Sequence, residues 1–441
     1  MNKKLHLISL GCTKNLVDTE VMLGRLSEYE ITDTPEDADV IIINTCGFIQ
    51  SAKEESIQTI LEISKYRKKG ALLVASGCLS QRYQKELKEL IPEIDIVTGV
   101  GDYDKIDKML NSKKGYFSSN VFLANESTSR VITGSKIHAY IKISEGCNQN
   151  CSFCAIPSFK GRLHSRGIES VLKEIKYLNL QGYCDFTFIA QDSSSYMRDM
   201  GNQEGLIALI DAVEKQNLAK SARILYLYPS GTTTTLIHKI RDSKIFQNYF
   251  DMPIQHISDK MLQRMKRGAN KAKHIQLLKT MREIEGSFVR STIIIGHPGE
   301  SEEEFEELCN FLENFIFDRL NIFAFSAEEG TSAYNMEEKI PTRIINKRIN
   351  IVNKIIQSQQ KQIYHQMLHQ SYPIVLEGKS QISRYFYSAR DLRWAPEVDG
   401  EILINDSMLD DMILKSGYYE AILNEVKDGL LFAKVVKKIE C

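Results

Sequence analysis

Short apolar segments alternate with amphipathic helical patterns twice along this chain, and that alternation leaves few folds open. Over residues 4 to about 115 the strand signals fall at 4–10, 40–44, 71–76 and 94–98, with helical patterns at 15–29, 52–66 and 81–91 between them. Apolar strands separated by helices are covered on both faces, so this stretch predicts a doubly wound parallel α/β sheet. The polar stretch 112–136 reads as a loop-like boundary. From 137 to about 330 the pattern resumes, with strands expected at 139–144, 185–190, 223–228, 249–253, 289–295 and 320–325. Six such units fit an incomplete (β/α)6 barrel with its chemistry at the strand C-termini. Residues 341–370 predict one long helix, because Ile345, Ile349, Val352, Ile356, Ile363 and Met367 recur at helical spacing with one two-turn gap. Beyond it, strand signals at 374–377, 400–404, 417–425 and 430–436 predict a small all-β barrel. The expected units are 1–115, 134–340, a linker helix 341–370, and 371–441.

Cysteine placement carries the chemistry. Cys147, Cys151 and Cys154 form C-x-x-x-C-x-x-C directly after the first expected barrel strand. Three thiolates so close suit a cubane iron–sulfur cluster, which normally takes four cysteines. No fourth Cys or His follows nearby, so one iron stays open to a ligand. The alternative is three structural or zinc-bound cysteines, although zinc sites usually add a second half-site at a distance. Cys12, Cys46 and Cys78 each sit just past an expected strand, each beside a glycine (Gly11, Gly47 and Gly77). Ligands gather at strand C-termini in parallel sheets, so these three converge as a second cluster site; the alternative is three inert buried thiols. Cys184, Cys309 and Cys441 read as non-ligands.

Composition sets bounds on partners. Net charge is −1, which does not advertise nucleic-acid binding by the whole chain. The segment from Met1 to Cys12 faintly resembles a lipoprotein signal, but its apolar stretch is short and holds His6; it reads as a buried first strand of a cytoplasmic protein. No apolar run is long enough to span a bilayer.

The motifs together resemble the methylthiotransferase branch of the radical S-adenosylmethionine (SAM) superfamily, over nearly the whole chain. The text from Gly11-Cys12-Thr13-Lys14-Asn15 through Met22, and Ala395-Pro396-Glu397-Val398-Asp399-Gly400 in the tail, resemble its RimO type. Further RimO-like marks at barrel strand ends are Ile189-Ala190-Gln191-Asp192, Tyr226-Leu227-Tyr228-Pro229, Pro253-Ile254-Gln255-His256, Ile295-Gly296-His297-Pro298 and Phe325 to Thr331. The MiaB type carries Gln-Met-Asn where this chain has Thr13-Lys14-Asn15. Two departures are His297, where the family has an aromatic, and Lys160, where it has Arg.

The resemblance implies a TRAM domain at the C-terminus and two 4Fe-4S clusters. Cys147, Cys151 and Cys154 would hold the one that cleaves SAM to a 5′-deoxyadenosyl radical; Cys12, Cys46 and Cys78 would hold an auxiliary cluster that delivers sulfur. Phe153, Gln191, Gln255 and Gly296 are the implied SAM contacts. The implied reaction uses two SAM molecules to place a methylthio group on an aspartate of ribosomal protein S twelve, alone or in the small subunit, with flavodoxin or ferredoxin as reductant. A tRNA adenosine substrate of the MiaB kind and a non-enzymatic iron–sulfur carrier are the other readings. Residues 371–441 hold nine Lys or Arg against twelve Asp or Glu, which suits a basic protein partner better than phosphate. The basic helix, with Arg343, Lys347, Arg348, Lys354 and Lys361, leaves room for an rRNA contact or a plain solvated face. Glu20, Glu145 and Asp192 are base candidates by position alone, with a surface or capping role as the alternative for each.

Overall fold

In the computed structural model, which describes residues 3–409 and 413–439, the N-terminal strands are β1 (Lys4–Ser9), β2 (Glu30–Ile31), β3 (Val40–Thr45), β4 (Leu72–Gly77) and β5 (Ile96–Val97). They form one parallel sheet in the order β2-β1-β3-β4-β5. The pair β2 is exposed and only two residues long, and it gave no apolar signal. Its helices are α1 (Thr13–Arg25), α2 (Gln50–Tyr66), α3 (Cys78–Arg82) and α4 (Gln84–Leu90). The single helix expected at 81–91 is two, because Tyr83 leaves helical geometry at φ −127° and ψ 42°. Strand order reverses between β1 and β3, which opens a crevice at their carboxyl ends. Register brings the ends level: Ser9 pairs with Asn44, and Asn44 with Ser76.

The central strands are β6 (His138–Lys142), a two-residue ribbon of β7 (Ser144–Glu145) and β8 (His164–Ser165), then β9 (Asp185–Ile189), β10 (Ser221–Ile224), β11 (Tyr249–Asp251), β12 (Phe288–Ile295) and β13 (Arg319–Ala324). The six main strands are parallel but not one continuous ladder. They make two three-stranded sheets, β6-β9-β10 and β11-β12-β13, joined by a bridge between Ala222 and Phe246 and by the Leu227 N–H donated to the Asp251 carbonyl at 2.8 Å. Alternation sorts the two faces. Ala139, Ile141, Phe186 and Phe188 pack under the helices in the largest apolar cluster, while His138, Tyr140, Lys142, Asp185, Thr187 and Arg223 occupy the opposite face and are buried. The lumen is therefore charged.

The expected long helix is Thr342–Met367. Gln359 fills its two-turn gap, buried and donating to the Leu312 carbonyl at 2.5 Å. Arg348 is not on a phosphate-facing surface: it is buried, with Nη1 2.6 Å from Glu300 and Nη2 2.9 Å from Glu302. Arg343, Lys347, Lys354 and Lys361 are exposed. The last strands, β14 (Ser371–Lys379), β15 (Tyr387–Asp391), β16 (Ile402–Ser407), β17 (Gly417–Lys427) and β18 (Leu430–Lys438), close into a barrel in the order β14-β15-β16-β18-β17. Cys441, read as a non-ligand, lies outside the described residues, as do Met1 and Asn2. Among the described residues no helix is long and apolar enough to cross a membrane.

The small barrel grips the central one through buried charge. Asp185 at the start of β9 binds Arg223 at 2.7 Å and also Arg390 of β15; Arg390 continues to Glu377 at 2.8 Å. Tyr140 donates its hydroxyl to the Pro396 carbonyl at 2.6 Å, and Trp394 is buried against Phe288. Burial alone would raise the Asp185 pKa, but the two arginines outweigh it and hold the carboxyl well below its ordinary range. Burial drives the His138 pKa well below its ordinary value. Asp185→Asn leaves the buried Arg223 guanidinium without its charge partner and Arg390 with Glu377 alone, and urea unfolding is expected to show a loss of about 3–5 kcal/mol. Both shifts favour the deprotonated form in the folded chain. Stability is therefore full at neutral pH, starts to fall below about 6.5 as unfolded-state histidine takes up protons, and falls further below about 4 as unfolded-state aspartate does. Melting temperature measured from pH 7 downward checks both steps.

Candidate functional site

The level ends of β1, β3 and β4 bring Cys12, Cys46 and Cys78 to one edge, and their glycines are the points where the three loops touch. A Cβ on Gly11, which has φ +84°, would lie 2.6 Å from Cβ and 2.7 Å from Sγ of Cys46. One on Gly47 would lie 2.7 Å from the Leu79 backbone and 2.9 Å from the Cys78 carbonyl carbon. One on Gly77 (φ +96°) would lie 2.5 Å from the Thr45 carbonyl oxygen. Only glycine permits approaches this close, and Gly11 and Gly77 also hold positive φ. Asn15 fastens the same loops, donating to the carbonyls of Leu10 at 2.7 Å and Asn44 at 3.1 Å. Cys12 is exposed, Cys46 half-buried and Cys78 buried. Burial pushes the Cys46 pKa up to about 11 and that of Cys78 up to about 12, and Cys12 adds to both. These thiols stay protonated at neutral pH unless a metal takes the thiolate.

Cys147, Cys151 and Cys154 follow β7 on one loop. The Gln149 N–H donates to the Cys147 sulfur at 3.4 Å. The Cys151 sulfur lies 3.3 Å from the Tyr228 hydroxyl and accepts from Arg267 Nη1 at 3.2 Å. Arg267 is itself fixed, stacked 4.2 Å over the Tyr228 ring and donating to the Pro253 carbonyl at 2.5 Å. Burial raises the pKa values of Cys147 and Cys154 to about 12. Among the described residues no three His, Cys, Asp or Glu side chains stand together as ligands of a single ion. A cubane asks for a wider triangle, since each thiolate takes a different iron. Loops that need glycine at their contacts, and thiols that burial keeps protonated at Cys46, Cys78, Cys147 and Cys154, fit such a group.

Between the two cysteine loops lies a cavity of about 100 Å³. Phe48 and Ile49, just past Cys46, form one side; Phe153, between Cys151 and Cys154, forms another, with Gln255, Ile294 and Phe325 completing it. Gln255 holds φ +69°, and its buried Oε1 has no partner among the described residues, a strained acceptor turned to a site. Gln191 donates to Glu145 instead of lining the cavity. Gly296 does not line it either: a Cβ there would meet Ile345 of the long helix at 2.5 Å, and its N–H is given to Glu300 at 2.9 Å. His297 is buried behind the wall, with Nε2 3.0 Å from the Ser152 hydroxyl and its ring 5.2 Å from Phe325. Burial brings its pKa down to about 4.

None of the three base candidates has an idle oxygen. Glu20 accepts from Thr133 N–H at 2.8 Å and pairs with Arg130 at 2.6 Å, strapping the 112–136 stretch along α1. Asp192 accepts from Gln149 at 2.9 Å and from Ser194 and Ser195 at 2.6 Å each. Glu145 lies 2.8 Å from Lys142 and 3.3 Å from Lys160, and both lysines also pair with Asp18 of α1. Burial alone would raise the Glu145 pKa; the two lysines hold it at about 2. Lys142 and Arg267 went unread in the sequence, and Asp18 and Tyr226 stood in quoted motifs without a role. The one available signal was charge at strand positions that the apolar pattern reserves for core, as in His-Ala-Tyr-Ile-Lys at 138–142.

Family models match residues 4–99, as Uncharacterized protein family UPF0004, and residues 141–312, as Radical SAM superfamily. The chain is 60% identical over 440 residues to Ribosomal protein uS12 methylthiotransferase RimO of Wolinella succinogenes, covering 100% of both chains. It is 61% identical over 435 residues to the protein of the same name from Helicobacter acinonychis, covering 99% of this chain and 98% of that one. Its fold is similar to that of TsrM, a radical S-adenosylmethionine methyltransferase from Kitasatospora setae, with TM-score 0.52 and 14% identity over 73% of each chain.

The loop contacts generate a controlled test. Gly11→Ala must displace Cys46, whereas Gly182→Ala, also at positive φ (+97°), meets nothing within 4 Å. After anaerobic reconstitution, Gly11→Ala is expected to retain less iron than the parent while Gly182→Ala retains the same amount.

Proposed function

The chain belongs to the RimO family of methylthiotransferases, and from that premise we propose that it methylthiolates the β-carbon of an aspartate in ribosomal protein uS12. The observation that carries this reading is one cavity lined both by Phe48 and Ile49, just past Cys46, and by Phe153, between Cys151 and Cys154. Cys147, Cys151 and Cys154 would hold one 4Fe-4S cluster, and Cys12, Cys46 and Cys78 a second. Bound there, the clusters and SAM supply one-electron cleavage and sulfur for an unactivated C–H bond, chemistry that side chains lack.

The chain's own residues do the rest. Phe48, Phe153 and Phe325 give the cavity apolar walls that keep water from a reactive centre. Gln255 offers its unpartnered Oε1 as an acceptor for SAM. Arg267 and Tyr228 hydrogen-bond the Cys151 sulfur and tune the cluster bound by it. Residues 1–115 act as the sulfur-delivering unit, 134–340 as the radical unit and 371–441 as a TRAM unit. The acidic tail favours a basic ribosomal protein over tRNA, and the exposed Arg343, Lys347, Lys354 and Lys361 face rRNA beside the target in the cytoplasm. A flavodoxin- or ferredoxin-type donor supplies electrons.

Anaerobic turnover with SAM, dithionite, small ribosomal subunits and unmodified tRNA tests this by mass spectrometry. A methylthio mass on a uS12 aspartate is expected, with tRNA unchanged; modification of tRNA alone would overturn it. Replacing Cys12, Cys46 and Cys78 by Ala is expected to leave 5′-deoxyadenosine formation and abolish the methylthio product. Replacing Cys147, Cys151 and Cys154 is expected to abolish both.

A further inference from the structure

Lys14 is a buried cation with no ion-pair partner among the described residues; Cys12 and Glu145 act on it only through space. It is the second residue of α1, two past Cys12, and is 9% exposed. Its Nζ stands 3.6 Å from the centroid of the Tyr226 ring. Each other buried lysine nearby has a carboxylate: Lys142 has Asp18 and Glu145, Lys160 has the same two, and Lys53 has Glu328 at 3.0 Å. Among the described residues no carboxylate lies within ion-pair distance of Lys14, and Glu145 is already shared by two lysines.

Two physical costs fall on this position. A desolvated ammonium is expensive unless paired. The first turn of a helix also repels positive charge, and α1 has no acidic residue there to relieve it. Tyr226 offsets part of this through its ring face, and the chain holds that ring in place at a cost of its own. Tyr226 is a non-glycine residue at φ +65° just past β10, pinned by its N–H to Asp251 Oδ2 at 3.0 Å. Strain of this kind persists where it serves a site. The three features together leave the ammonium without a neighbouring carboxylate, a part that an anion brought by a ligand would play.

We propose that Lys14, seated on Tyr226 beside Cys12, is the receptor for the side-chain carboxylate of the substrate aspartate. The inference rests on the methylthiotransferase reading above and names the group by which that site selects its substrate. In aspartate the carboxylate carbon is bonded directly to the β-carbon. Holding the carboxylate at Lys14 would therefore fix the β-carbon one bond from the held group. A neutral adenine ring offers no such anion, so the same residue selects against a nucleoside. The competing account is that Lys14 only neutralises negative charge on metal-bound Cys12.

A double-mutant cycle on the reconstituted full-length enzyme separates these. The ligands are fluorescently labelled uS12 and its variant with the modified aspartate changed to Asn. The enzymes are the parent, Lys14→Met and, to keep the charge, Lys14→Arg. Lys14→Met is expected to weaken binding of the aspartate form about ten-fold or more, to bind the Asn form as the parent does, and to be partly rescued in Lys14→Arg. Equal losses for both forms would overturn the proposal. So would an unchanged affinity accompanied by a shifted midpoint potential or lowered iron content at the N-terminal cysteines. If the parent modifies no uS12 aspartate at all, the methylthiotransferase reading itself fails, and that result is distinct from either outcome.

Discussion

Asp18, Lys142, Glu145 and Lys160 form a buried network of two carboxylates and two ammonium groups where the N-terminal sheet meets the barrel. The segments on either side of Cys147–Cys154 and the helix after Cys12 hang from it. Asp18 belongs to α1, whose start follows Cys12. Lys142 and Glu145 lead directly into Cys147. Lys160 closes the short helix Ile156–Lys160 that follows Cys154. Such a network adds little net stability compared with an apolar substitute, but losing one member leaves an uncompensated buried charge. It therefore acts mainly on geometry, tying the loops of both cysteine sets to one another rather than letting two domains meet loosely.

The same logic extends down the barrel. The inward face of β6 and β9 carries His138, Tyr140, Lys142, Asp185 and Thr187, so the lumen is filled by hydrogen-bonded polar groups. At the upper end α1 supplies Val17, and at the lower end the small barrel supplies Trp394 and Ala395, all within one buried cluster that includes Tyr140, Leu225 and Tyr249. Three units thus share a core. The acidic small barrel is fixed to the central barrel by Asp185, Arg223 and Arg390.

Much of this architecture was legible in the sequence because parallel strands buried on both faces are written as apolar runs. The six barrel strands, the first sheet apart from β2, and the places of Cys12, Cys46, Cys78 and Cys147 just past strands followed from that pattern. What stayed hidden shares one cause: residues that break the apolar code while being buried. Strand β15, Tyr-Ser-Ala-Arg-Asp, gave no signal because Arg390 and Asp391 are buried in ion pairs. Arg348 read as a basic surface residue and is a buried partner of Glu300. Gly296 read as a backbone approach to SAM, yet its missing side chain makes room for Ile345. Pairing across units decides such positions, and no local pattern encodes it.

The central claim is that the two sets of three cysteines sit at a fixed separation, with one cavity lined from both the Cys46 loop and the Cys147–Cys154 loop. Electron paramagnetic resonance of the fully reduced, reconstituted enzyme tests it most directly. Two clusters held across a shared cavity are expected to give a spin-coupled, broadened spectrum, which simplifies when Cys12, Cys46 and Cys78 are replaced. Two sharp, independent signals that sum without interaction would contradict the account.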